Sequence, residues 1–198
     1  MFNFPFKPLT LDEAFQLLID NRIIAKEFKQ ASRIINRLSE DDWRLWFGRF
    51  LLHIRSNPTN ENFSDAFICL EITLETLKMQ NNPMAYREFV SYINTPALFL
   101  AYKFYYEATG SIPTALLLAL AFKNGWGVIP DEEKAFEFAA YAASNKYDPL
   151  YQSAQELLNA FTYERLNKSQ PNPNPQFTQN QGQMFNLDAN TNLNFILD

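Results

Sequence analysis

The chain has 198 residues, of which 47% are hydrophobic and 16% aromatic, enough apolar material for one packed domain. One Cys and one His exclude an internal disulfide and a His/Cys zinc site. The net charge of −5 argues against general nucleic-acid binding, which needs a cationic surface. Neither a membrane span nor a secretory signal is recognisable, so we expect a cytoplasmic protein, and no cofactor, metal or catalytic residue is predicted.

Helix start and stop signals recur along the first third of the chain. Thr10-Leu11-Asp12-Glu13 has the form of a capping box, and Asn21 indicates a break before a second helix over about 22–38. Ser39 and the three acids after it indicate the start of a third helix, because acids favour the positive end of a helix. That helix carries two Trp and two Phe residues and stops before Asn57-Pro58.

In the rest of the chain, proline, glycine and aspartate mark the helix boundaries. Pro83, Pro96 and Pro113 each suit a first helical position, and Gly110 suits a helix end. The predicted helices are 63–79, 83–93, 96–108, 113–124, 131–144 and 149–166. The sequence therefore predicts an all-α domain over 1–166 that is built of antiparallel helix pairs.

A basic stripe is predicted along the second helix. Its members, spaced four, three, four and four residues apart, are Arg22, Lys26, Lys29, Arg33 and Arg37. This spacing places them on one helical face, opposite the apolar residues that run from Ile24 to Leu38. The stripe is either a solvated face or a basic surface for an acidic partner, an RNA backbone or an anionic membrane.

Residues 114–146 have the pattern of a tight antiparallel helix pair. The segment 115–122 is apolar on most sides and must be buried, and Asp131 suits the cap of the returning helix. The link between them is Gly125-Trp126-Gly127-Val128, in which the glycines permit positive backbone angles. Trp126 is either a binding hot spot or a packing residue against the neighbouring helix pair.

This pattern resembles the Sel-one-like repeat, a relative of the tetratricopeptide repeat. The matching positions are Leu118, Phe122, Gly125, Gly127, Val128, Asp131, Lys134, Ala135, Phe138, Ala142 and Ala143. Ala119 and Lys146 stand where the family usually has glycine, and one clear copy covers about a sixth of the chain. Because such repeats need neighbours, the other helices would be degenerate repeats or an unrelated cap. The resemblance implies an α-solenoid scaffold for protein partners, without catalysis.

The composition changes after residue 166. Alternating prolines over 171–175 forbid a helix, and we predict an Asn/Gln/Pro-rich flexible tail over 167–198. Its last part regains apolar residues, among them Phe185 and Phe195. This end is either a docking motif or a frayed terminus.

Residues with chemical potential have simpler structural interpretations. The acids at 41–42 and 131–133 coincide with predicted helix starts, where the helix dipole explains them. His53 stands in no recognisable nucleophile motif, and Cys69 lies in an apolar run typical of a core.

The preferred interpretation is a non-catalytic adaptor that binds another protein. One alternative is a chaperone-like or regulatory subunit of a bacterial secretion or effector system, by analogy with the family. The other is a hydrolytic enzyme, which a concave pocket holding His53 beside a carboxylate would favour. The sequence leaves the partner and the oligomeric state open.

Overall fold

The computed structural model of the chain describes residues 8–56 and 58–169. Within these ranges it contains nine α-helices and no β-strand, which confirms the predicted all-α class. The helices are α1 (Leu11–Ile19), α2 (Ala25–Ile35), α3 (Trp43–Arg55), α4 (Asn60–Gln80), α5 (Pro83–Ile93), α6 (Pro96–Thr109), α7 (Ile112–Asn124), α8 (Glu132–Ala142) and α9 (Tyr151–Ser169).

Several helix ends lie where local chemistry predicts them. The Thr10 hydroxyl accepts a hydrogen bond from the Glu13 amide while the Glu13 carboxylate accepts one from the Thr10 amide, as in a capping box. Asn21 has a φ of 54° and separates α1 from α2. Asn82 caps α5 ahead of its first-turn proline. Such ends are predictable because they depend on residues within one turn of each other.

Three predicted boundaries are wrong. The second helix is shorter than 22–38, because residues 22–24 have no regular secondary structure and residues 36–37 form a turn. The third helix is capped by Asp42 rather than by Ser39, since the Asp42 side chain accepts from the Arg44 amide. The last helix runs to Ser169, so the helical region extends beyond residue 166 into the predicted flexible tail. The remainder of the predicted tail lies outside the described residues.

Helices that follow one another in sequence pack against one another along most of the chain. α1, α2 and α3 contact one another, α3 packs on α4, and α6, α7, α8 and α9 pack in succession. Two longer-range contacts, α1 with α5 and α4 with α7, join these neighbours into one core. The apolar side chains of the helices are thereby buried between antiparallel neighbours, as expected for stacked helix pairs.

Two aromatic clusters lie in the core. In the first half, the ring centroid of Phe47 is 5.5 Å from those of Phe15 and Phe89. In the second half, the Phe122 ring lies 5.4 Å from Phe99 and 5.7 Å from Phe138. Edge-to-face and offset pairs of this kind add to the free energy that area burial alone supplies. The core therefore spans both halves of the helical domain.

The link between α7 and α8 is docked on the link between α5 and α6. Gly127 has a φ of 70°, and a Cβ atom on it would lie 2.3 Å from the carbonyl oxygen of Thr95. Its amide donates a hydrogen bond of 2.9 Å to Asn94 Oδ1. Gly125, with a φ of 71°, ends α7. Both glycines thus have the positive backbone angles expected from the sequence.

The length and the apolarity of the described helices decide whether any of them could cross a membrane. Across residues 8–56 and 58–169, none of them combines the length and the apolarity needed to cross a bilayer.

Candidate functional site

Helix α2 has one buried side and one exposed basic side. Ala31 and Ile35 are fully buried, and Ile35 packs so close to Gly48 of α3 that a Cβ there would lie 2.7 Å away. The side chains that point outward are those of Lys26, Lys29 and Arg33. We call these three residues the basic face. Because its opposite side is anchored in the core, the helix holds the basic face in a defined position.

A shallow depression accompanies the basic face. It has a volume of about 470 Å³ and is lined by Lys26, Lys29, Gln30 and Arg33. The lining supplies three cationic groups and one amide, which are donors suited to carboxylates or phosphates.

The structure places the two end residues of the predicted five-residue stripe outside helix α2. Arg22 precedes the helix and forms an ion pair with Asp20, and the hydrogen bond from Arg22 is the main cause that lowers the pKa of the Asp20 carboxyl. Arg37 follows the C-cap residue Asn36 and is exposed beyond the helix. The stripe on the helix is therefore reduced to three residues. The turn at Asn21 and the early end of α2 are the reason.

The start of α2 also differs from the predicted apolar stripe. Ile24 is 60% exposed and stands at the N-cap position rather than inside the helix. The single acid of the segment, Glu27, turns its carboxylate back to accept a hydrogen bond of 3.2 Å from the Ile24 amide. Glu27 therefore serves the helix N-terminus, where a negative charge is favoured by the dipole.

An aromatic–arginine pair at the other end of α2 is not predicted by the stripe. The Arg49 guanidinium lies 4.8 Å from the centroid of the Trp46 ring, and its Nε donates to Asn36 Oδ1 at 3.2 Å. Trp46 Nε1 donates to the carbonyl of Glu40 at 2.9 Å. Trp46 is half-buried, whereas Trp43 is in the core. The three-residue spacing of Trp46 and Arg49 on one helix is the sequence signal that indicates this pair.

Trp126 packs inside the molecule. It is 3% exposed, and its ring centroid lies 5.8 Å from that of Phe89 in an edge-to-face arrangement. Of the two interpretations of Trp126, the structure therefore supports packing against a neighbouring helix pair and contradicts an exposed hot spot. The physical reason is that docking Gly127 on Thr95 carries the preceding indole towards α5.

The other residues of the repeat-like pattern also have packing roles. Leu118, Phe122, Ala135 and Ala142 are buried, whereas Val128, Phe138 and Ala143 are half-buried against the core. Asp131 caps α8 by accepting from the Lys134 amide at 3.0 Å, and this backbone hydrogen bond is the main cause that lowers its pKa. The Lys134 ammonium lies 2.9 Å from Asp131 Oδ2 and 5.3 Å from the Phe122 ring centroid.

His53 lies beside a carboxylate at the interface of α3 and α4. Its Nδ1 atom is 3.7 Å from Asp65 Oδ2, and the side chain is partly exposed. Cys69 is buried one turn after Asp65, and burial raises the pKa of its thiol to about 11. A thiol with that pKa is protonated at neutral pH and is a poor nucleophile. His53 lines neither the depression on α2 nor the cavity between α7 and α9 described below.

A half-buried carboxyl group on α4 has no counterpart in the sequence predictions. Burial is the main cause that raises the pKa of Glu71 to about 7, and the nearby charges of Glu75 and Glu156 raise it further. A hydrogen bond of 3.4 Å from Ser153 Oγ of α9 lowers the pKa and so offsets part of this rise. No local pattern indicates Glu71, because its burial depends on the position of α9, which is distant in sequence.

The contact of α7 and α8 with α9 contains charged residues but little space. Lys123 and Glu164 form an ion pair whose side chains are 12% and 20% exposed. The adjoining cavity, which Arg165 and Phe161 help to line, has a volume of about 10 Å³, room for about one water molecule. This region therefore joins helices rather than holding a ligand.

Two predicted contact residues, Phe185 and Phe195, lie outside the described residues. Within the described part of the chain, no group of three or more His, Cys, Asp or Glu side chains is arranged to hold a metal ion. The basic face and its depression are therefore the candidate site that the described residues support best.

The chain was compared with protein-family models, with curated proteins and with solved structures, and none of the three comparisons finds a match.

Proposed function

We propose that the protein is a helical adaptor that binds an acidic segment of another protein through the basic face of α2. The observation that carries this proposal is the arrangement of Lys26, Lys29 and Arg33, all exposed on one helix and grouped around one depression. Complementary charge brings partners together faster and selects among them, even where each surface ion pair adds little affinity.

The anchoring of α2 supports this role. The helix buries Ala31 and Ile35 against its neighbours, so its position is set by the core rather than by the partner. A surface that is already ordered loses less entropy on binding than a mobile one. The cationic groups are thus presented in a fixed pattern, which a partner can match.

The charge distribution supports a protein partner rather than general nucleic-acid binding. The whole chain carries a net charge of −5, so the basic face is a local positive patch on an acidic molecule. Nucleic acids offer long arrays of phosphates, which an acidic molecule repels beyond the patch. A short acidic segment of a protein contacts the patch alone.

We also propose that residues 114–146 are a Sel-one-like repeat and that the other helices supply the neighbours it needs. The positive φ angles of Gly125 and Gly127 and the small residues Ala135 and Ala142 at buried positions are consistent with that motif. In this arrangement α7 and α8 belong to the scaffold, and α2 supplies the binding surface.

The adaptor function is tested by reversing the charge of the basic face in the full chain. The variant is Lys26→Glu/Lys29→Glu/Arg33→Glu, and the matched control is Lys78→Glu/Arg87→Glu/Lys146→Glu, which changes the net charge equally at other exposed positions. Partners are identified by crosslinking and mass spectrometry, with both variants compared with the unmodified chain. We expect acidic partners to be lost with the first variant only.

The same variants control for folding. Because all six side chains are exposed and each triple variant reverses one cation in the last turn of a helix, we expect both variants to lower the free energy of unfolding by a similar amount, at most about 2 kcal/mol. Retention of the same partners by the basic-face variant would contradict the proposal. Loss of the partners from both variants would also contradict it, because general charge and not the basic face would then determine binding.

A further inference from the structure

The pattern of the basic face specifies the shape of the acidic segment as well as its charge. We infer that the segment is an α-helix that lies along α2 and carries carboxylates at positions i, i+3 or i+4, and i+7. This inference rests on the proposed adaptor function and goes beyond it, since it names the conformation and spacing of the partner.

The argument begins with the spacing of the cations. Lys26, Lys29 and Arg33 are three and four residues apart on a regular helix. With a rise of about 1.5 Å per residue, they stand at about 0, 4.5 and 10.5 Å along the axis of α2. All three are exposed, so they form one row on one side of the helix.

A second helix reproduces this spacing. Because both helices have the same rise, carboxylates three or four and then seven residues apart recur at about 4.5 or 6, and 10.5 Å. Each carboxylate can then face one cation. Carboxylates at i, i+3 and i+7 fit a partner helix that is parallel to α2. Carboxylates at i, i+4 and i+7 fit an antiparallel partner helix.

An extended segment matches the row less well. Residues on one side of a strand recur about every 6.6 Å, twice the rise of about 3.3 Å per residue. Such a segment can place one carboxylate opposite Lys29 and one opposite Arg33. Its next carboxylate on that side lies about 6.6 Å from the one at Lys29, whereas Lys26 is only about 4.5 Å from Lys29 along the axis. A helix therefore places a carboxylate opposite each of the three basic side chains, whereas a strand places one opposite only two of them.

The chemistry of the lining adds contacts that suit a helix. The aliphatic stems of the two lysines and of Arg33 can cover the apolar side of a partner helix while their charged ends reach its carboxylates. Arg33 can hold one carboxylate through two parallel hydrogen bonds, which a lysine cannot do. Gln30, which also lines the depression, supplies an amide between the charged groups.

Two synthetic peptides of identical composition test the inference on the full chain. Both are Ala/Gln-based helices with three Glu residues, placed at i, i+3 and i+7 in the first and at i, i+5 and i+6 in the second. The first arrangement puts the carboxylates in one row, and the second spreads them around the helix. Binding is measured by fluorescence anisotropy at low and at physiological salt.

We expect the row peptide to bind about tenfold more tightly than the spread peptide, and we expect a proline at its centre to abolish this advantage. Arg33→Lys should reduce the advantage, and the triple Glu variant of the basic face should remove binding. The Lys78/Arg87/Lys146 control variant should bind as the unmodified chain does.

The outcomes distinguish this inference from the adaptor proposal. Equal binding of the row and spread peptides would overturn the helical register, although an acidic partner would still be supported. Failure of the full chain to bind either peptide would overturn both. Tighter binding to single-stranded RNA, or to vesicles of phosphatidylserine and phosphatidylcholine, than to the row peptide would replace the acidic helix with that ligand.

Discussion

Helices α2 and α7 are of similar length, but α7 is buried inside the molecule, whereas α2 lies at its surface. Every residue of α7 from Pro113 to Phe122 is buried, because α4, α6 and α8 surround it. In α2 only Ala31 and Ile35 are buried, and the basic face is exposed. The comparison shows that α7 stabilises the fold from inside, whereas α2 can contact a partner without loss of the core.

The largest expected effect comes from opening a cavity in α7. Leu116→Ala removes a side chain that is 0% exposed, and we expect it to lower the free energy of unfolding by about 2–5 kcal/mol. Urea denaturation measures the change. The matched control is Leu166→Ala in α9, whose side chain is 61% exposed and should cost less than about 0.5 kcal/mol. Equal costs would contradict the burial of α7.

The next effect concerns the link that follows α7. Gly127 and Gly110 both have positive φ angles, 70° and 63°, so an alanine at either position carries a similar backbone strain of about 1 kcal/mol. At Gly127 the new Cβ would also meet the Thr95 carbonyl oxygen at 2.3 Å, whereas at Gly110 it meets the tip of the Tyr141 side chain at 3.0 Å. Backbone cannot move aside as a side chain can.

We therefore expect Gly127→Ala to lower the free energy of unfolding by at least about 2 kcal/mol more than Gly110→Ala does. Thermal denaturation of the two variants side by side checks this difference. If the two substitutions cost the same, then the link would not be docked on the segment between α5 and α6.

The smallest expected effect concerns the carboxyl group of Glu71, which lies inside the packed region, unlike the exposed charges of α2. The pKa of Glu71 is raised from an ordinary value of 4.5 to about 7, so the folded state favours the protonated carboxyl. Its contribution to stability is present below pH 4.5 and is lost as the pH rises through 7, because the unfolded chain then binds fewer protons than the folded one. Since the group is partly solvated, the loss is about 1–2 kcal/mol.

Glu71→Gln should remove this loss. We expect the variant to gain stability over the unmodified chain between pH 5 and pH 8, by about 1–2 kcal/mol at the upper end. The exposed Glu137→Gln substitution should give no such gain. Denaturation curves at several pH values measure the difference, and a gain that does not depend on pH would show that titration of Glu71 is not its cause.

Local chemistry made most helix ends predictable. The capping box of Thr10 and Glu13, the Asn82 cap with its proline, and the glycine ends of α6 and α7 involve residues close in sequence. In each case the partners meet within one helical turn, so no other part of the fold is needed to bring them together. The all-α class follows from the repetition of such signals.

The candidate site was only partly predictable. The spacing of Lys26, Lys29 and Arg33 was visible in the sequence, but Arg22 and Arg37 continue the same spacing beyond the ends of the helix. A prediction from periodicity continues the helix for as long as the pattern lasts, whereas the positive φ of Asn21 and the C-cap at Asn36 confine the helix to fewer residues. The depression beside Gln30 is a property of surface shape and has no sequence signal.

The sequence by itself determined the helical class, most of the helix caps and the three-residue row of cations on α2, because each depends on residues within one or two turns. Tertiary structure alone decided that Trp126 is buried against Phe89, that Glu71 is half-buried beside Ser153, and that Trp46 and Arg49 lie at the end of α2. These positions depend on which helices meet, and that choice minimises exposed apolar area over the whole chain rather than over any one segment.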